Sequence, residues 1–238
     1  FNWIIAILLG LLVIGVFALN FKDTSENIEE KDKVIVTGDS ELKFGPDQAE
    51  VFIRTETKAE NAKEAQRQNS EIMNKVKNAL LNLGIKEKDI ETIEFSLYPL
   101  REYNSVTGKL EDKGFVQRHT FKVTTKDVEN VGNLINVAVE NGANSVDNIV
   151  FSLSKEKLKE AKNEVIKTAV ENAKEKAEAL AEGADARLGD VISITENSFN
   201  FIPYYARDTA EIGTKVVPPI QPSEVSVNAN VQVIFELE

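Results

Sequence analysis

The first 21 residues constrain this chain most, because none of their side chains is charged. As a helix, the stretch from Trp3 to Phe21 would be roughly 28 Å long, close to the ~30 Å hydrocarbon core of a bilayer. The stretch is longer than the apolar region of a secretory signal, and Val16-Phe17-Ala18 is a poor cleavage site. The sequence therefore predicts a transmembrane anchor over residues 1–21, with a cleaved signal peptide as the alternative.

Four residues of this stretch would mark its depth and its contacts in the membrane. Trp3 and Phe21 suit the two interfaces, and Gly10 and Gly15 are small enough for a helix–helix contact, although their spacing is not GxxxG. The mostly acidic flank that follows belongs outside by the positive-inside rule. We therefore expect a single-pass protein of the cell membrane whose partner is the lipid bilayer through residues 1–21. A polar tether over residues 22–32 would lead to an extracytoplasmic body over residues 33–238.

Composition limits the chemistry that the body can perform. A net charge of −11 argues against nucleic acid as a partner. With no cysteine and one histidine, His119, thiolate metal sites and the usual zinc, haem and Ser-His sites are nearly excluded. No phosphate-binding loop, nucleophile elbow or calcium loop is present. We expect a protein that is not an enzyme, with no cofactor and no metal, in which His119 is a structural or surface residue.

Apolar periodicity predicts seven strands and three helices in the body. The strands are expected over residues 33–40, 48–58, 90–98, 115–125, 145–153, 190–196 and 224–238. The helices are expected over residues 60–83, 127–141 and 155–182. Gly84 and Gly142 follow the first two helices and would end them. The third helix has an alanine-rich face, which would permit close approach to a sheet or another helix.

An internal similarity points to two related units. Residues 57–62 resemble residues 125–131, and residues 93–97 resemble residues 149–153, in the same order around a helix that ends in glycine. Chance similarity between apolar strands is the alternative explanation. The sequence predicts an α+β fold: the transmembrane helix, then a body of two related strand-helix-strand units with antiparallel sheets and one long C-terminal helix. The two parts of the body would cover about residues 33–113 and 114–238.

Many short motifs, in their order and spacing, carry a family resemblance over about residues 34–237. They include VTGDSELKFGPDQAEVFIRTET at 36–57, Gly84-Ile85, Phe95-Ser96-Leu97, Gly142-Ala143-Asn144, Phe151-Ser152-Leu153 and Leu188-Gly189. In these features the body resembles SIMPL-domain proteins. The resemblance implies an α+β body that is usually exported to the periplasm or cell surface and tends to form large ring-like homo-oligomers. It also implies a loose link to oxidative or envelope stress and no established catalytic activity.

The chain is expected to be irregular from residue 197 to 222, and the part from 199 to 222 is rich in aromatic residues. Its candidate interface residues are Phe199, Phe201, Ile202, Tyr204 and Tyr205. A long aromatic loop in a compact domain is usually functional or an interface. Three roles stay open for these side chains: covering the domain's own core, contacting a neighbouring subunit or the membrane surface, or forming a small-molecule site.

Together these features predict a membrane-anchored extracytoplasmic protein that self-assembles into a large, ring-like or channel-like homo-oligomer. Its role would be structural or stress-protective at the cell envelope, and its main partner would be itself. The alternative is a binding module that captures a peptide, a lipid or an unfolded protein in a cleft or in the lumen of a ring.

Overall fold

The computed structural model describes residues 32–206 and 221–238. In these residues the chain forms eight strands and three α-helices, with a 3₁₀ turn at Glu87–Asp89. The elements are β1 (Lys33–Phe44), β2 (Gln48–Ala59), α1 (Ala62–Asn82), β3 (Ile90–Asn104), β4 (Lys109–Thr125), α2 (Val131–Glu140), β5 (Ser145–Ser152), α3 (Lys155–Gly183), β6 (Leu188–Ile202), β7 (Tyr204–Ala206) and β8 (Val225–Leu237).

The larger sheet has five antiparallel strands in the order β3-β4-β2-β5-β7. The segments β2-α1-β3 and β4-α2-β5 are interleaved in it, because β4 lies between β3 and β2; this is the split β-α-β order. The predicted boundary between the two parts of the body, at residues 113 and 114, falls inside β4. Helices α1 and α2 lie on one face of this sheet, and β2 buries every second side chain beneath them.

Local signals account for the helix ends. Asn61 caps α1, since its side chain accepts a hydrogen bond from the Glu64 backbone N–H at 2.9 Å. Gly84 and Gly142, just beyond α1 and α2, have φ values of +99° and +105°, a backbone conformation that favours glycine. The prediction that these glycines end the first two helices is confirmed.

The smaller sheet has three antiparallel strands in the order β1-β8-β6, with α3 packed on β1 and β8. The inner side chains of β8 are mainly valines, and the buried face of α3 is almost entirely alanine. At Gly38 of β1 the approach is so close that an added Cβ would lie 1.9 Å from the Ala169 carbonyl oxygen. The predicted close approach of the alanine-rich face is confirmed, and a sheet is what it approaches.

The predicted fold class is wrong. The described chain is mostly sheet, in two antiparallel sheets with three helices, and none of these helices is long and apolar enough to cross a bilayer. The predicted transmembrane helix, with Trp3, Gly10, Gly15 and Phe21, lies outside the described residues, as does the tether except for Asp32.

Strand content exceeds the prediction: β1 continues to Phe44, past its predicted end at residue 40, and β7 is an eighth strand where seven were predicted. β3 and β4 extend beyond their predicted bounds, 90–98 and 115–125, and form a hairpin over residues 101–113. β6 continues to Ile202, through residues predicted to be irregular. In the hairpin, polar residues concealed the strands, because strands that project into solvent on both faces lose the apolar alternation by which they are recognised.

Candidate functional site

The five predicted interface residues lie at the outer edges of the two sheets. Phe199, Phe201 and Ile202 end β6, an edge strand of the smaller sheet, and Tyr204 and Tyr205 belong to β7, an edge strand of the larger sheet. The structure therefore brings them to the point where the chain crosses from one sheet to the other.

Phe199 and Phe201 are partly buried against the core between α3 and the smaller sheet. The Lys162 ammonium lies 4.8 Å from the centroid of the Phe199 ring and also pairs with Glu196 at 2.7 Å. These two rings contact the protein's own core, which is the first of the three roles considered for them.

Ile202, Tyr204 and Tyr205 are turned outward instead. Their exposed fractions are 57%, 37% and 53%. Tyr204 is held by stacking on Phe151, with 6.2 Å between the ring centroids. Large apolar surfaces held by a rigid strand are suited to contact with another molecule.

Sequence reasoning missed three further exposed residues on β6. Val191, Ile192 and Ile194 are each about half exposed, because α3 covers β1 and β8 and contacts β6 little. We call Val191, Ile192, Ile194, Ile202, Tyr204 and Tyr205 the β6–β7 surface. The sequence did indicate an apolar strand here, but it does not show which strand of the sheet the helix leaves uncovered.

A second apolar strip, also missed, lies on β3 at the opposite edge of the larger sheet. Ile93, Phe95 and Leu97 are exposed there, on a strand that was predicted correctly but could not be assigned to an edge.

The face of the larger sheet opposite the helices carries paired charges. Arg118 donates to Glu56 at 2.7 Å, Arg54 lies 2.9 Å from Asp147, and Lys122 lies 3.1 Å from Glu91. The hydrogen bond from Arg118 lowers the pKa of Glu56. Exposed pairs of this kind contribute little to stability, and they make this face polar.

His119 lies on β4 between two phenylalanine rings. Its ring centroid is 5.3 Å from that of Phe95 and 4.8 Å from that of Phe121, both edge-to-face, and its Nε2 is 3.2 Å from Thr92 Oγ1. Burial lowers its pKa, so the neutral form is favoured. These are packing contacts.

The surface also has two adjoining shallow depressions near the end of α1. They have volumes of about 340 and about 430 Å³, and Gly84, Ile85 and Thr125 line both of them. Within residues 32–206 and 221–238, no three His, Cys, Asp or Glu side chains are grouped closely enough to hold a metal ion.

Comparison with known proteins covers nearly the whole chain. The family model described as "SIMPL: Protein of unknown function (DUF541)" matches residues 34–235. The 26 kDa periplasmic immunogenic protein of Brucella melitensis is 28% identical over 246 residues, covering 100% of this chain and 98% of the relative. The uncharacterized protein YggE of Edwardsiella ictaluri is 24% identical, covering 94% and 95%, and that of Escherichia coli K12 is 25% identical, covering 86% and 83%.

Proposed function

Because the chain belongs to the SIMPL family, we propose that it is an extracytoplasmic protein whose body self-associates into a homo-oligomer with a structural or protective role at the cell envelope. The proposal assigns it no catalytic activity. The location is supported by the relative whose name places it in the periplasm and which aligns along the whole of this chain.

The β6–β7 surface is the observation that carries self-association. Single exposed apolar side chains are normal on a protein surface, but here six of them follow the edges of two sheets. An edge strand with apolar side chains and one unpaired row of backbone groups is a template for pairing with another chain. Association would remove this surface from water.

The negative charge of the protein opposes association, so association should depend on the salt concentration. Each copy carries a net charge of −11, so copies repel one another at low ionic strength. Salt screens this repulsion and leaves the apolar contact nearly intact. We therefore expect the oligomer to become more stable as the salt concentration rises.

Light scattering or mass photometry of the purified full chain tests the proposal. The expected result is a particle of several copies that becomes smaller when Ile194→Asn and Tyr205→Ser are combined. Val106→Asn, at the exposed tip of the β3–β4 hairpin, is the matched control and should leave the particle unchanged. A wild-type chain that stays monomeric at micromolar concentration would overturn the proposal.

The alternative, a binding module, predicts a different result in the same experiment. A monomer that prevents a reduced, unfolded test protein from aggregating would support capture of unfolded chains through this surface and count against self-association. The same Ile194→Asn and Tyr205→Ser variant would then lose that protective effect.

A further inference from the structure

The β3 strand carries an exposed apolar strip on the outer edge of the larger sheet. Ile93, Phe95 and Leu97 have exposed fractions of 49%, 55% and 40%. Phe95 and Leu97 share a face of the strand, and Ile93 lies beside them at an irregularity in the pairing with β4. This strip belongs to a different sheet edge from the β6–β7 surface.

The position of the helices explains why the strip is open. Helix α1 lies mainly over β2 and β4, so Phe121 of β4 is buried beneath it. His119, whose ring touches both Phe121 and Phe95, marks the border of the covered area. Phe95 lies beyond that border, on the face that bears the helices but outside their reach.

The backbone of β3 is open as well. Among the described strands β3 pairs with β4 alone, so its outer N–H and C=O groups have no strand partner. The strand is 15 residues long and contains no lysine; Pro99, four charged side chains and two irregularities, one on each side of residues 94–99, are what protect it against edge pairing. Natural edge strands are usually shorter or charged, since an open apolar edge recruits another strand.

We propose that β3 pairs in antiparallel fashion with β3 of a second copy of this chain, around a twofold axis at Ser96. The two five-stranded sheets would then join into one. This inference rests on the proposed self-association and adds a second, distinct interface to it. A twofold contact closes on itself, so assembly beyond a pair would use the β6–β7 surface as well.

Charge and apolar complementarity select this register. With Ser96 on the axis, Phe95 of one copy faces Leu97 of the other, twice, since facing residues in an antiparallel pair share a side of the sheet.

The other side of the sheet is complementary too. There Glu94 of one copy faces Tyr98 of the other, and the Tyr98 ring carries the Arg118 guanidinium 5.4 Å from its centroid. A negative group therefore meets a positive one on this side.

The neighbouring registers are worse. Moving the axis to Phe95 places Glu94 opposite Ser96, which offers no charge. Moving the axis to Leu97 places Phe95 opposite Pro99. The Ser96 register is therefore the one of the three that pairs Phe95 with Leu97 and brings Glu94 to the Tyr98–Arg118 pair.

A single cysteine tests the axis directly, because the natural sequence contains none. In Ser96→Cys the two thiols would face each other with Cα atoms roughly 4.5–5.5 Å apart, within the span of a disulfide. We expect mild oxidation to produce a covalent dimer that reductant splits. Thr107→Cys, exposed at the hairpin tip, is the control and should stay monomeric on the same gel. Absence of a Ser96→Cys dimer, or equal cross-linking at Thr107, would overturn the register.

A charged substitution in the apolar pair tests the same interface without a covalent bond. Leu97→Lys should raise the dissociation concentration at least about tenfold. Circular dichroism checks that each variant is folded. A monomeric wild-type chain would overturn both proposals, whereas an oligomer that survives Leu97→Lys undiminished and gives no Ser96→Cys cross-link would overturn the β3 interface alone.

Discussion

The two helix–sheet layers of this protein are packed by different means. In the larger layer, α1 inserts Met73, Val76 and Leu80 into the core it shares with α2 and the five-stranded sheet. In the smaller layer, α3 presents four buried alanines and a valine to the three-stranded sheet. One layer is built from large side chains and the other from small ones that bring the backbones together.

This difference determines what each layer tolerates. A core of large side chains is stabilised by the apolar area it buries, so loss of volume is the damaging change. A close-packed alanine interface has no room to spare, so gain of volume is the damaging change. The short distance also allows polar contacts across the second interface: the Lys176 ammonium donates to the Thr37 carbonyl at 2.8 Å, and Asn172 accepts from the Asp39 N–H at 3.1 Å.

The two layers also share a property. In each of them the helices are narrower than the sheet they cover, which leaves an edge strand with exposed apolar side chains, β6 in one and β3 in the other. Both proposed interfaces follow from this mismatch in width.

The largest effect is expected from a loss of volume in the larger layer. Leu80 of α1 is fully buried, and Leu80→Ala should lower the free energy of unfolding by about 2–5 kcal/mol through lost burial and the cavity left behind. Urea denaturation measures the change. Leu83, immediately after the same helix, is 38% exposed, so Leu83→Ala is the matched control and should cost much less. Equal losses would show that the core does not depend on the volume of Leu80.

A smaller effect, of the opposite kind, is expected in the alanine-rich layer. In Gly38→Ala the new methyl group would lie 1.9 Å from the Ala169 oxygen and 2.8 Å from the Ala173 Cβ, so α3 must move away from the sheet. We expect a loss of about 1–3 kcal/mol in the same measurement. Among the described residues, no atom lies within 4 Å of a Cβ added at Gly45, so Gly45→Ala is its control. If Gly38→Ala were as stable as the wild type, the close approach of α3 would be refuted.

Much of the local structure could be predicted from the sequence. Periodicity located all three helices, and Gly84 and Gly142 fixed the ends of two, because their requirement for positive φ is a local property. The stripe of alanines also predicted a close contact from local information, because small side chains let the packing partner come close to the helix backbone.

The arrangement of the strands could not be predicted in this way. Strand order depends on pairing between distant segments, and nothing within β3 or β6 states that each lies at an edge. The aromatic segment shows the consequence: Phe199 and Tyr205 look alike in the sequence, yet one contacts the core and the other is exposed. Family membership was recognised from motif order, which does not require the topology.

The smallest effects are expected at two threonines of β2, where the same substitution should change the free energy of unfolding in opposite directions. Thr57 Oγ1 donates to the Ala65 carbonyl at 2.8 Å, whereas Thr55 Oγ1 is fully buried and has no hydrogen-bond partner within the described residues. Valine has nearly the shape of threonine without the hydroxyl. Thr57→Val should therefore lower the free energy of unfolding by about 1 kcal/mol, because the Ala65 carbonyl loses a donor, and Thr55→Val should raise it by a similar amount, because a buried polar group is removed. The pair serves as its own control in urea denaturation, since both changes lie on the same face of the same strand beneath α1. A loss of stability in Thr55→Val would mean that its hydroxyl is hydrogen-bonded in solution, and the satisfied polar contacts beneath α1 would then include Thr55 as well as Thr57.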